Sequence, residues 1–199
     1  MAIISPGFSG RRVPTDSTLP PGQYLTAGFP VLSAGPTPYV PLEKWELTIE
    51  EGADVLRRWD WNSFRSLPTD TPTVDLHCVT GWSKLGTSWE GVSLDTLFAG
   101  VKTDAPFALV YSYGDYSTNL PLQDLLNKQA WIAFRFEGAD LEPEHGGPAR
   151  LLVPHLYLWK SAKWVRRIRL MSRDVPGFWE AFGYHNYGDP WREQRYRGD

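Results

Sequence analysis

The stretch Thr73-Val74-Asp75-Leu76-His77-Cys78-Val79-Thr80-Gly81-Trp82-Ser83-Lys84-Leu85-Gly86 holds the most informative residues of the chain. Val74 to His77 alternates apolar and polar side chains, the period of a half-buried strand. Cys78 follows at the strand's end and opens a polar, Gly-containing stretch that reads as a loop. Loops at strand ends are where folds present functional side chains. Cys78 is the only cysteine among 199 residues, so no disulfide and no multi-cysteine metal site can form within the chain. The remaining choices are a small buried hydrophobe or a reactive or ligating thiol.

The strand signal recurs on both sides of this stretch. Trp45-Glu46-Leu47-Thr48-Ile49, Phe107-Ala108-Leu109-Val110-Tyr111 and Trp131-Ile132-Ala133-Phe134-Arg135-Phe136 are β-rich, as are Arg150-Leu151-Leu152-Val153 and Val165-Arg166-Arg167-Ile168-Arg169-Leu170. Helix signals are fewer and shorter: Ser63 to Leu67, Ser93 to Phe98, and Leu122 to Asn127 after Pro121. The fold class expected is α+β, mostly β, in one domain over residues 23–199. A Pro/Gly-rich arm, 1–22, precedes it. The tail from Pro176 to Asp199 is expected to wrap over the domain and bury Phe178, Trp179, Phe182, Tyr184, Tyr187 and Trp191.

Charge is close to balanced, with 20 basic against 23 acidic side chains, which disfavours wholesale nucleic-acid binding. It is unevenly placed: residues 150–199 carry ten basic and five acidic groups, suggesting a local anion site. No apolar run approaches the roughly 20 residues that span a bilayer. Arg11-Arg12 is followed by Pro- and Thr-rich sequence rather than an apolar core, so a cytoplasmic protein is expected.

Two further segments carry anion-binding chemistry. His145-Gly146-Gly147-Pro148-Ala149-Arg150 combines a sharp turn with a His and an Arg, and its glycines would let backbone approach a ligand closely. Trp159-Lys160-Ser161-Ala162-Lys163-Trp164 offers two Lys, a hydroxyl and backbone amides before a strand. Dinucleotide, P-loop, serine-hydrolase elbow, zinc-protease and haem-attachment motifs are all missing.

These segments, in this order and spacing, resemble the molybdopterin-binding domain of the sulfite oxidase family, in particular its short sulfite oxidase-like oxidoreductases. The resemblance runs from about Phe29 to Tyr196. It is carried by Phe29-Pro30-Val31-Leu32-Ser33-Ala34-Gly35-Pro36-Thr37-Pro38, by Asp75 to Lys84 with Trp89-Glu90-Gly91-Val92, and by Tyr113-Gly114-Asp115-Tyr116-Ser117. His145 to Arg150, Lys160 to Trp164, Gly183-Tyr184-His185-Asn186 and Gly188-Asp189-Pro190-Trp191 complete it.

The resemblance implies a mononuclear molybdenum–molybdopterin cofactor with Cys78 as the metal's protein ligand. A soft thiolate suits a metal otherwise held by dithiolene sulfurs. It implies cofactor contacts from His145, Arg150, Lys160, Ser161 and Lys163, and further contacts from Asp115, Ser117 and Ser33. Trp82, Lys84, Tyr184 and His185 are the implied substrate rim. The implied activity is two-electron oxygen-atom transfer, as in sulfite oxidases and methionine-sulfoxide reductase catalytic subunits. A small oxo donor or acceptor would be the substrate. Electrons would pass to or from a separate haem, flavin or quinone protein, since the chain has no room for the extra haem or dimerisation domains of larger relatives. Sulfite-oxidising members carry an Arg shortly after the ligand Cys; here the first cation is Lys84. Two other functions compete: an aromatic platform for flat ligands, built from the ten Trp, and a cofactor carrier without turnover.

Overall fold

The computed structural model describes residues 18–199, so most of the 1–22 arm lies outside the described residues. Eleven strands and three short helices follow in order: β1 (Tyr24–Leu25), β2 (Glu46–Glu51), β3 (Asp54–Asp60), α1 (Trp61–Arg65), β4 (Thr73–His77), β5 (Trp82–Ser93), α2 (Leu94–Leu97), β6 (Phe107–Ser112), β7 (Ser117–Pro121), β8 (Trp131–Phe136), β9 (Ala139–Asp140), β10 (Arg150–Leu152), β11 (Val165–Met171) and α3 (Phe178–Ala181). The expected α+β, mostly β class is the one observed.

The strands form two sheets. One runs β1-β5-β8-β10, with β4 joined to β5 and β9 to β8; the other runs β3-β2-β11-β6-β7. Sequence periodicity explains the division. Leu47 and Ile49 of β2 and Ile168 and Leu170 of β11 point one way and are buried. They join Val92, Ile132, Phe134 and Leu151 of the other sheet in one core, closed at its edge by Trp45 and Phe64. A second, smaller cluster lies on the β4–β5–β8 side: Leu76, Cys78, Trp82, Trp89, Trp131, Ala133, Leu141 and Leu152.

Three local expectations are corrected. The stretch after Cys78 is not a long loop, because β5 begins at Trp82 and runs 12 residues. Only Cys78 to Gly81 turn, closed by Cys78 N–H donating to the Trp82 carbonyl and Gly81 N–H to the Cys78 carbonyl, both at 2.9 Å. Leu122 to Asn127 is not an α-helix; a single 3-10 turn, Leu122–Leu125, replaces it. The helix expected at Ser63 starts earlier, at Trp61, because the Asp60 carboxylate accepts from Ser63 N–H and caps it.

The tail covers the domain only in part. Phe182 is 73% and Trp191 54% exposed, so neither is buried as expected. Phe178, Trp179, Tyr184 and Tyr187 are half-buried. The anchor is Glu180, whose carboxylate is fully enclosed.

Candidate functional site

Strand ends, the N-terminal segment and the tail surround one cavity of about 610 Å³. That is within the range of roughly 300–1,000 Å³ usual for small-molecule sites. Cys78 lies on its wall, delivered by the end of β4. Its sulfur accepts a 3.2 Å hydrogen bond from the Thr80 hydroxyl, two residues on in the same turn. Burial raises the thiol's pKa; the Thr80 hydrogen bonds and the Arg195 charge oppose that shift.

Arg150, at the start of β10, is 2% exposed and also lines the cavity. Its guanidinium donates to the carbonyls of His145 (2.8 Å) and Ser161 (2.9 Å), joining the two candidate anion segments. Burial lowers its pKa to about 10. Lys163 reaches the same wall and donates to the carbonyls of Leu32 (2.7 Å) and Glu144 (2.6 Å). Burial, followed by the nearby Arg150 charge, lowers its pKa to about 8. Both cations are bonded to neutral carbonyls, and among the described residues the sole carboxylate on the cavity wall is Asp115, which is exposed.

Uncompensated buried positive charge is costly unless an anion answers it. Two more buried polar nitrogens lack partners among the described residues: His145 Nδ1 and Trp82 Nε1. The His145 ring stacks on Phe29 at 4.1 Å, and its pKa is lowered by burial and by the Arg150 and Lys163 charges. A thiol and two cations around one cavity suit an anionic ligand that carries a soft metal.

The cavity brings together Cys78, His145, Arg150, Ser161, Lys163, Asp115, Ser33, Trp82 and Tyr184 from the expected set. Four expected residues lie elsewhere. Lys160 is buried in a 2.7 Å ion pair with Glu180 and donates to the Asn119 and Asn186 carbonyls. Its ammonium braces the tail instead of facing the cavity, because Glu180 is the carboxylate that burial requires beside it. Ser117 pairs with Tyr111 in the β6–β7 ladder, away from the cavity wall. Lys84 donates to the Ala27 carbonyl at 2.7 Å. His185 Nδ1 accepts from the Tyr187 and Gly188 amides and shapes a turn.

The Gly-Gly pair also differs from expectation. A Cβ on Gly147 would lie 2.0 Å from the Leu141 carbonyl oxygen, and one on Gly146 would lie 3.0 Å from Arg150 Cβ. These glycines make room for the protein's own backbone and for the Arg150 stem, not for a ligand. Residues on the cavity wall that sequence reasoning did not assign to the site include Thr80, Phe29 and the half-buried pair Phe178 and Trp179. The signal for Thr80 was present: a hydroxyl two residues past a turn-forming thiol can reach back to it.

Known proteins bear on this arrangement. Residues 34–179 match the family model described as oxidoreductase molybdopterin binding domain. The chain is 40% identical over 192 residues to the uncharacterized oxidoreductase YuiH of Bacillus subtilis, covering 95% of this chain and 97% of that protein. It is 25% identical over 162 residues to the protein-methionine-sulfoxide reductase catalytic subunit MsrP of Burkholderia mallei, covering 72% of this chain and 49% of that one. The sulfane dehydrogenase SoxCD from Paracoccus pantotrophus shares the fold, with a TM-score of 0.61 at 22% identity over 70% of this chain and 41% of that one. The chain thus spans nearly all of YuiH but about half of MsrP. The family match encloses Cys78, His145, Arg150 and Lys163, the residues that the fold gathers on one wall. The chain is an oxidoreductase of the molybdopterin-binding domain family.

Proposed function

We propose that the protein binds a mononuclear molybdenum–molybdopterin cofactor through Cys78 and catalyses two-electron oxygen-atom transfer to or from a small substrate. The observation that carries this is the convergence of the Cys78 thiol with Arg150 and Lys163, two cations without carboxylate partners among the described residues, on one cavity. When bound, the cofactor supplies the metal at which an oxo group is gained or lost.

The chain's own residues bind, orient and exclude. Cys78 ligates as a thiolate, with the Thr80 hydroxyl donating to sulfur and offsetting the charge that burial penalises. Arg150 and Lys163 hold the anionic end of the cofactor, and the Ser161 hydroxyl, which accepts from Val153 N–H at 2.9 Å, fixes the loop between them. The His145 ring, flat against Phe29, lines the same space. Trp82, Tyr184, Phe178 and Trp179 make an apolar rim that keeps water from the reacting atoms. Asp115 and Ser33 stand at the open edge, where a cofactor's polar periphery would reach. A separate electron-carrying protein completes the cycle, in keeping with the name "catalytic subunit" given to MsrP. Among the described residues no helix is long and apolar enough to cross a membrane.

The test is elemental analysis for molybdenum, a fluorescence assay for oxidised pterin, and dye-driven reduction of sulfoxides and N-oxides. One metal per chain with turnover is expected. Purified protein that carries neither metal nor pterin after expression in a cofactor-producing host would sink the proposal. A loaded protein that turns over no oxo donor or acceptor would point to a carrier instead.

A further inference from the structure

The turn that presents Cys78 has two carbonyls that accept from side chains outside the turn. The Cys78 carbonyl accepts from Gln23 Nε2 at 3.1 Å, and Gln23 Oε1 accepts in turn from the Ser83 hydroxyl at 3.2 Å. The Val79 carbonyl accepts from Arg195 Nη1. The same guanidinium donates from Nη2 to the Pro21 carbonyl at 3.2 Å, stands 5.2 Å over the Tyr157 ring, and has Glu193 Oε1 3.5 Å from its Nε. The Arg195 side chain is only 15% exposed, against 51% for Glu193. The fit is tight: Gly22 has φ +69°, and a Cβ there would lie 2.9 Å from Arg195 Nη2. One tail residue therefore ties the N-terminal segment, the Cys78 turn and the C-terminus together. It also puts a largely buried positive charge one residue from the thiol, in a chain whose Cys78 turn contains no cation.

Resting on the function proposed above, we propose that Arg195 is a positioning residue for the Cys78 ligand: its fork fixes the Cys78–Gly81 turn, and its charge stabilises the electron-rich, reduced form of a centre bound to Cys78. The fork follows from geometry, since one planar guanidinium spans two carbonyls on different segments. The charge effect follows from Coulomb attraction in a site screened from water, with the exposed Glu193 as a weaker opposing charge.

Two variants separate the roles. Arg195→Gln removes the charge and keeps a donor; Arg195→Lys keeps the charge and loses the fork. In loaded protein, the reduction potential of the metal centre should fall in Arg195→Gln and return to near the wild-type value in Arg195→Lys. In both, amide exchange at Cys78 and Gly81 should quicken while amides of β8 stay protected. A potential that does not move in Arg195→Gln overturns the proposal, and so do turn amides exchanging at the wild-type rate in both variants. Equal loss of thermal stability in the two variants, with the potential unchanged, would mean a merely structural role and also overturns it. If wild-type protein shows no metal-centred redox wave, the proposed function fails, while exchange in the metal-free chain still decides the fork.

Discussion

Lys160 and Lys163 are three residues apart and chemically identical, yet they sit in opposite roles. Lys160 is enclosed with Glu180, each side chain 1% exposed. Removing one partner of such a pair leaves the other charge buried and alone. Lys160→Met should cost about 3–5 kcal/mol, read by chemical denaturation. Lys163 forms no ion pair among the described residues, and its folded pKa of about 8 lies below its ordinary value of 10.5. The folded chain thus binds fewer protons than the unfolded chain between those two values, so this group adds stability as pH rises through that window. Below pH 8 the partly buried ammonium is charged in both states and its desolvation counts against the fold. Cofactor-free Lys163→Met should therefore be more stable than wild type at pH 7, with the gap closing by about pH 10.5; urea melts at several pH values measure it. A bound anion answers that charge, so in the loaded protein the same variant should lose cofactor instead. Cys78→Ser should drop metal retention by more than about 100-fold, beyond the loss usual for residues that merely support a ligand, as counted by metal analysis. Full metal content in Cys78→Ser would reject the thiolate ligand.

At the level of elements, the site depends on two turns with little tolerance. The Cys78–Gly81 turn converts β4 into β5 and aims the thiol. The Gly146–Gly147 turn brings His145 and Arg150 to the same wall. Gly147→Ala would force a methyl group into the Leu141 carbonyl. Overpacking of this kind costs about 1–3 kcal/mol, and here the obstacle is backbone that has nowhere to retreat. A fall in melting temperature of several degrees is expected from a thermal scan, with activity per folded molecule also reduced because Arg150 shifts. The elements differ in how plainly residue patterns announced them. Buried strands β2, β6, β8, β10 and β11 carry apolar alternation or apolar runs, and all were foreseen. β3, Asp54-Val55-Leu56-Arg57-Arg58-Trp59-Asp60, was not. It is an edge strand with mostly exposed side chains, so burial never imposed a period on it. β5 was mistaken for loop because Gly86 and several polar residues interrupt it; its pairing with β1, β4 and β8 holds it extended despite its own weak propensity.

Across the whole molecule, the cavity is closed by segments with almost no regular structure of their own. Between Leu25 and Leu42 the chain has no helix or strand, yet Phe29 stacks on His145 and the Leu32 carbonyl accepts from Lys163. A ligand filling the cavity would supply this segment with the contacts it cannot make with itself. Loading should slow proteolysis between Thr26 and Pro38 and stabilise the fold by mass action, by about 2.7 kcal/mol at a hundredfold excess over the dissociation constant. Limited digestion of loaded and cofactor-free protein measures the first effect; equal cutting rates would show that the segment does not close over the ligand.

Residue order alone determined the β-rich class, the single thiol at a strand end and the two cation-bearing segments around His145–Arg150 and Lys160–Lys163. These follow from side-chain period and chemistry, which are local properties. Only tertiary structure decided which lysine faces the cavity, because that turns on where Glu180 is buried, 20 residues downstream. Packing likewise revealed that Gly147 answers to the Leu141 carbonyl and that Arg195, 117 residues from Cys78, grips its turn. Such assignments depend on which distant groups share a low-dielectric interior, and no window of neighbouring residues encodes that.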